Sequence, residues 1–108
     1  MTTTLDKISA VLEQRKQGDP ESSYVSSLYH RGTDAILKKI GEEAAEVIIA
    51  AKNPDKQAVI HEMADLWFHS LILLSALDLK PSDILAELDR RSGVSGLKEK
   101  QNRQKKQV

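Results

Sequence analysis

Five carboxylates stand at spacings that could converge on one cation. Glu42-Glu43-Ala44-Ala45-Glu46 sets Glu43 and Glu46 three residues apart, and Glu62 and Asp65 repeat that interval. On a helix, residues three apart lie on neighbouring turns and can aim at one point. On a helical wheel Glu43 falls about 20° outside the apolar stripe of its segment, nearer the core than a solvated glutamate needs to be. Glu46 lies farther round, and Glu42 farther still. Fifteen residues separate Glu46 from Glu62. That is enough to finish one helix, turn at Asn53-Pro54 and return antiparallel. Four carboxylates on facing helices then share one volume, where their repulsion makes sense chiefly around a hard divalent cation. Magnesium takes oxygen ligands and keeps several waters, which suits a site that also binds phosphates. The bland alternative is two charged helix faces laced with ion pairs. Lys38 and Lys39 precede Glu42 and Glu43 by four residues and support it there, whereas Glu62 and Asp65 have apolar residues rather than lysines at helical spacing.

Other chemistries find less support. The chain has no cysteine, which removes thiol catalysis and disulfides. A ferritin-like di-iron site needs Glu-x-x-His on bundle helices, but the residues three after Glu46 and Glu62 are Ile49 and Asp65. Glycine-rich phosphate loops are absent. Glu62, Asp65 and His69 share a strip about 60° wide, and a lone histidine on an apolar helix reads first as a hydrogen-bonded core residue.

The elements that must position these groups are helical. Leu5, Ile8 and Leu12 follow helical spacing up to Gly18-Asp19-Pro20. The serine-rich stretch from Glu21 to Gly32 reads as a loop or short helix, anchored by Tyr24, Leu28 and Tyr29. A strong helix is predicted from a cap at Thr33-Asp34 to about Lys52, with Ile36, Ile40, Ala44, Val47, Ile48 and Ala51 as its apolar stripe, stopped by Asn53-Pro54. Another runs from about Asp55 to Asp78. A further helix starts at Lys80-Pro81-Ser82-Asp83, with proline near its first turn, and ends before Gly93. No segment alternates as a strand would. The expectation is one all-α domain over residues 1–108, an antiparallel bundle of four to five helices.

The segment from Val59 to Leu77 is apolar on every side, carrying Ile60, Met63, Trp67, Phe68, Leu71, Ile72 and Leu74. Such a helix must be buried all round. A chain of 108 residues can hardly cover it, so a homodimer that completes the bundle is expected. Sixteen basic side chains balance sixteen acidic ones, so bulk charge points to neither nucleic acid nor membrane. The start of the chain has no basic leader or apolar signal segment, and the expected location is cytoplasmic. The tail from Lys98 to Val108 is basic, with Lys98, Lys100, Arg103, Lys105 and Lys106 against Glu99.

Glu42-Glu43-x-x-Glu46 followed by Glu62-x-x-Asp65 resembles the signature of the all-α nucleoside triphosphate pyrophosphatases, the MazG-like superfamily. Ser23-Tyr24, Lys38-Lys39-Ile40-Gly41-Glu42-Glu43-Ala44, Ala64-Asp65-Leu66-Trp67-Phe68-His69 and Ser95-Gly96-Leu97-Lys98-Glu99-Lys100 are similar to its phosphoribosyl-ATP pyrophosphatase branch. The resemblance spans Leu5 to about Arg103. It implies Mg²⁺-dependent hydrolysis of phosphoribosyl-ATP to phosphoribosyl-AMP and pyrophosphate, the second step of histidine biosynthesis. By the same resemblance Glu43, Glu46, Glu62 and Asp65 ligate Mg²⁺, and Glu42 supports them or activates water. Basic groups must complete a polyphosphate site, and Lys38, Lys39, Lys98, Lys100 and Arg103 are candidates. Ser95-Gly96 could offer backbone N–H groups to a phosphate, and Tyr24 could stack on a base or simply pack. Two rival readings remain at this level: a house-cleaning pyrophosphatase for free nucleoside triphosphates, and a non-catalytic helical dimer.

Overall fold

In the computed structural model, residues 3–93 and Arg103 are described, and among them the chain is five helices with no strand. They are α1 (Thr4–Arg15), α2 (Tyr24–Arg31), α3 (Thr33–Ala51), α4 (Lys56–Ala76) and α5 (Pro81–Arg91). The all-α expectation holds at the upper end of its helix count. The Ser95-Gly96 turn and Lys100 lie outside the described residues.

Local chemistry sets the boundaries. The Thr3 hydroxyl accepts the Asp6 N–H, and the Asp6 carboxylate accepts the Thr3 N–H, a reciprocal box that starts α1. The serine-rich stretch resolves into a short turn and then α2, because the Ser23 hydroxyl accepts the Ser26 N–H and caps the new helix. The expected cap at Thr33-Asp34 is corrected. Gly32 is the N-cap of α3, at φ 99°, with no side-chain cap bond. Glycine adopts that conformation without a Cβ penalty, so α3 follows α2 after a single residue. Asp55 caps α4 by accepting the Gln57 and Ala58 N–H groups. At the far end of α4, Asp78 takes φ 59°, and the Leu79 N–H reaches back to the Leu74 carbonyl at 2.8 Å. This Schellman stop is usually made by glycine. Pro81 opens α5, and Asp83 accepts the Lys80 N–H at 2.9 Å.

The core takes one or two residues from each of four helices: Leu12 from α1, Val25 and Leu28 from α2, Ile36 from α3 and Ile72 from α4. Tyr29 packs beside them and donates its hydroxyl to the Leu12 carbonyl at 3.0 Å. The closest helix pair is α3 with α4. Their link of residues 52–55 is too short for anything but an antiparallel return. The stripe foreseen on α3 is only partly inside, since Ile36 is buried while Ile48 stands 62% exposed. Tyr24, expected as a core anchor, is half exposed. The helix α4 is not enclosed by this chain: Ile60 and Trp67 are each 59% exposed. On α5, Ile84, Leu85 and Leu88 are also exposed. Among the described residues no helix is long and apolar enough to cross a membrane.

Candidate active site

The acidic residues lie on α3 and α4, and α2 closes one side of that pair. Along α3, Lys39, Glu42, Glu43 and Glu46 fall on successive turns. The Lys39 ammonium reaches Glu42 and Glu43 at 3.4 Å each. Only 13% of the Glu43 side chain is exposed, against 48% for Glu42. The inward tilt read from the helical wheel is therefore real for Glu43. Burial pulls the Lys39 ammonium down, but Tyr24, Glu42 and Glu43 outweigh it and hold it above the usual lysine value. Glu46 and Lys38 are exposed, as is Arg103 in the tail. Of the two lysines expected to pair with Glu42 and Glu43, Lys39 does so, while no ion pair engages Lys38 among the described residues.

On α4, Glu62 and Asp65 are partly buried one turn apart. His61, Glu62 and Asp65 bring one ligand atom each to within 4.8 Å of one another, and His61 Nε2 lies 3.5 Å from Asp65 Oδ2. His61 was missed in the sequence, although it stands four residues before Asp65, the same interval that marked the lysines of α3. Glu43 and Glu46 are not within that 4.8 Å group. The structure thus sets the acids in two clusters on packed helices, with a cation already seated on only one of them.

Tyr24 and His69 join α2 to α4 beside these clusters. The Tyr24 hydroxyl lies 2.8 Å from His69 Nε2, and His69 Nδ1 lies 2.8 Å from the Asp65 carbonyl oxygen. A carbonyl only accepts, so Nδ1 carries the proton, and in the neutral imidazole Nε2 then accepts from the tyrosine. His69 is 6% exposed and fully hydrogen-bonded, which is the core role expected for it. Burial pushes the Tyr24 phenol up, against the opposing charge of Lys39. On its other side Tyr24 borders a groove of about 490 Å³ floored by Ile8, Val11 and Phe68 and flanked by Lys7 and Arg15.

The chemistry of this donor set is oxygen-rich and anionic. Glu42 and Glu43 share one lysine, Glu62 and Asp65 lie beside one exposed histidine, and Glu46 is exposed on the same helix as the first pair. Desolvating ionised carboxylates is costly without a compensating charge. Neither Glu62 nor Asp65 has a lysine or arginine at ion-pair distance among the described residues.

Comparison with known proteins shows the family of the chain. The family model described as phosphoribosyl-ATP pyrophosphohydrolase matches residues 5–92, which takes in all five helices save the first residue of α1. The chain is similar to the phosphoribosyl-ATP pyrophosphatase of Burkholderia vietnamiensis (strain G4 / LMG 22486), at 54% identity over 96% of this chain and 89% of that relative. It is also similar to the proteins of the same name from Burkholderia mallei (strain SAVP1) and Burkholderia pseudomallei (strain 668). Each is 55% identical over 96% of this chain and 88% of the relative.

Proposed function

The chain belongs to the phosphoribosyl-ATP pyrophosphohydrolase family, and from that premise we propose that it works at the two acidic clusters of α3 and α4, with Mg²⁺ as cofactor. The reaction is hydrolysis of phosphoribosyl-ATP to phosphoribosyl-AMP and pyrophosphate, in histidine biosynthesis. Water adds across the anhydride between the α and β phosphates, and pyrophosphate leaves.

The observation that carries the site is the state of Glu62 and Asp65: partly buried, one turn apart, on the helix packed against α3, with no lysine or arginine at ion-pair distance among the described residues. That surplus of carboxylate oxygens fits a hard divalent cation. In this reading Glu43, Glu46, Glu62 and Asp65 hold the ion. A divalent ion held there would supply Lewis-acid chemistry, drawing charge from the phosphate and making water easier to deprotonate. Glu42, paired with Lys39 and more exposed than Glu43, would support these ligands or take a proton from the attacking water. Lys39 is poised to exchange its carboxylate partners for a phosphate oxygen. Lys38 and Arg103, both exposed, and Ser95, Gly96 and Lys100 are the further candidates for holding phosphate.

The test is pyrophosphate release from phosphoribosyl-ATP by wild type and Glu62→Gln, each with Mg²⁺ and with chelator. The expected result is metal-dependent release that the substitution lowers by at least about a hundredfold, with helical circular dichroism unchanged. Release unaffected by chelator or by the substitution would overturn the site. Release from ordinary nucleoside triphosphates at equal efficiency would move the substrate to the house-cleaning class.

The same reading includes a homodimer acting in the cytoplasm. Support for the dimer comes from Ile60 and Trp67 on α4 and Leu85 and Leu88 on α5, large apolar side chains each more than half exposed. Exposed apolar area of this kind is normally covered by a partner surface. Light scattering should give twice the chain mass for wild type, and Trp67→Glu should lower it toward the monomer.

A further inference from the structure

Tyr24 is oriented the reverse of most tyrosines. A tyrosine on a protein surface usually buries its ring and leaves the hydroxyl in water. Here the hydroxyl is tethered inward to His69, which is 6% exposed, while the residue as a whole stays 50% exposed. The imidazole that holds it is fixed from every side. Nδ1 donates to the Asp65 carbonyl, and the Tyr24 and Phe68 rings meet it edge-on, each with centroids 5.7 Å away, at 80° and 88°. Such edge contacts add to the hydrogen bonds in locking the ring. The Tyr24 ring therefore stands between two different surroundings. Toward α3 it feels Lys39, Glu42 and Glu43; toward α1 it lines the groove flanked by Lys7 and Arg15.

We infer that His69 is a positioning residue for the hydrolysis, holding the Tyr24 ring as a fixed aromatic platform for the purine of the substrate between the phosphate-binding acids and the α1 groove. This rests on the reading that the acids of α3 and α4 are the reacting site. The geometry fits a nucleotide because the charged cluster suits the polyphosphate while the platform beside it offers an apolar face. Stacking on an aromatic side chain is worth enough to set affinity and is indifferent to the chemistry at the phosphates. A simple staple between α2 and α4 accounts for the hydrogen bonds; the half-exposed ring is the feature that a platform uses.

The two ring nitrogens can be separated by substitution. His69→Asn keeps a donor near the Nδ1 position and removes the acceptor for Tyr24. His69→Gln places an amide oxygen near the Nε2 position and restores that acceptor. Tyr24→Phe removes the hydroxyl alone, on a half-exposed ring, and is the mildest probe of the tether. Steady-state kinetics on phosphoribosyl-ATP, with melting temperatures alongside, are the measurement, and Glu62→Gln is run as the control for the site itself. The expected result is a KM raised about 5- to 20-fold in Tyr24→Phe and in His69→Asn, part of the about 5- to 100-fold that full loss of stacking represents. The value of kcat stays within about twofold, His69→Gln recovers most of the KM, and the double variant is no worse than either single one. Lower melting temperatures with KM unchanged in Tyr24→Phe and His69→Asn would overturn the inference and leave a staple. Equal losses in kcat and kcat/KM, with no rescue by His69→Gln, would overturn it as well. Activity surviving in Glu62→Gln would instead bring down the reading beneath it.

Discussion

Lys16 and Lys39 each sit between two carboxylates, and the contrast between them separates charge that holds the fold from charge held ready for use. Lys16 reaches Glu13 at 3.0 Å and Asp78 at 3.2 Å, a partner 62 residues away. Glu13 in turn accepts the Ser75 hydroxyl at 3.0 Å. That network ties the end of α1 to the end of α4, and each member has a partner in another element. Among the described residues Lys39 forms ion pairs with Glu42 and Glu43 alone, one turn along its own helix. Those pairs join no second helix, and its neighbour on α2 is the Tyr24 phenol. An ion pair that links no elements, beside a glutamate almost removed from water, is poorly explained as a structural device and well explained as a charge kept ready for an anionic ligand.

Substitution of both lysines by methionine makes the contrast measurable. Lys39→Met should lower kcat/KM on phosphoribosyl-ATP by about 10- to 100-fold, the worth of one charge-assisted contact to a phosphate. Its melting temperature should fall less than that of Lys16→Met, because pairs one turn apart on a helix contribute roughly 0.3–0.5 kcal/mol and only Glu43 is left partly desolvated without its partner. Lys16→Met should do the reverse, with activity kept and a melting temperature lowered by a few degrees. If both variants lost stability and neither lost activity, the distinction would collapse and Lys39 would be a helix-surface residue like any other.

Asp78 sharpens the structural half. It occupies the left-handed region at φ 59°, where an L-residue costs about 1–2 kcal/mol relative to the right-handed helix. The carboxylate bond to Lys16 and the Schellman stop keep it there. Asp78→Ala retains the Cβ penalty and loses the carboxylate, so it should destabilise more than Asp78→Gly, which loses the carboxylate but relieves the backbone. Equal melting temperatures for the two would show that the backbone conformation at this stop carries no measurable strain.

Much of this was legible in the sequence, and what was not has a physical cause. Helical period, proline positions and turn residues located α3, α4 and α5 within a few residues. The Glu62–Asp65 and Glu43–Glu46 spacings marked the helices that carry the acids. The cap of α3 was misplaced because Thr33 is a good capping residue by type, whereas the need for a positive φ at Gly32 depends on where α2 ends. His61 was less legible, because an imidazole is a cation only when protonated and its spacing from Asp65 alone does not mark it as a partner. The Tyr24–His69 bond could not be read at all. It joins residues 45 apart through the packing of α2 on α4, and no periodicity encodes that distance.

The smallest expected effect concerns acid. Glu87 on α5 accepts from Arg90 and Arg91, and those hydrogen bonds hold its carboxyl down to about 2. Glu13 is lowered as well, by Lys16 first and then Ser75. A carboxylate whose pKa is lower in the folded state stabilises the fold above its unfolded value, and that contribution is lost as pH falls through the folded value. Melting temperature should therefore hold near neutrality and decline below the ordinary carboxylate range, between about pH 4.5 and 2 for the share due to Glu87. Both groups are open to solvent, so the effect should be small and should shrink further in high salt. Glu13→Gln should remove more of the acid dependence than Glu87→Gln. Glu13 accepts from Ser75 of α4 as well as from Lys16, and its loss loosens α1 from α4, whereas among the described residues Glu87 binds Arg90 and Arg91 of its own helix. A larger change in Glu87→Gln would mean that α5 is held by its surface charges rather than by its apolar face, and the division between linking and non-linking ion pairs would not extend to this helix.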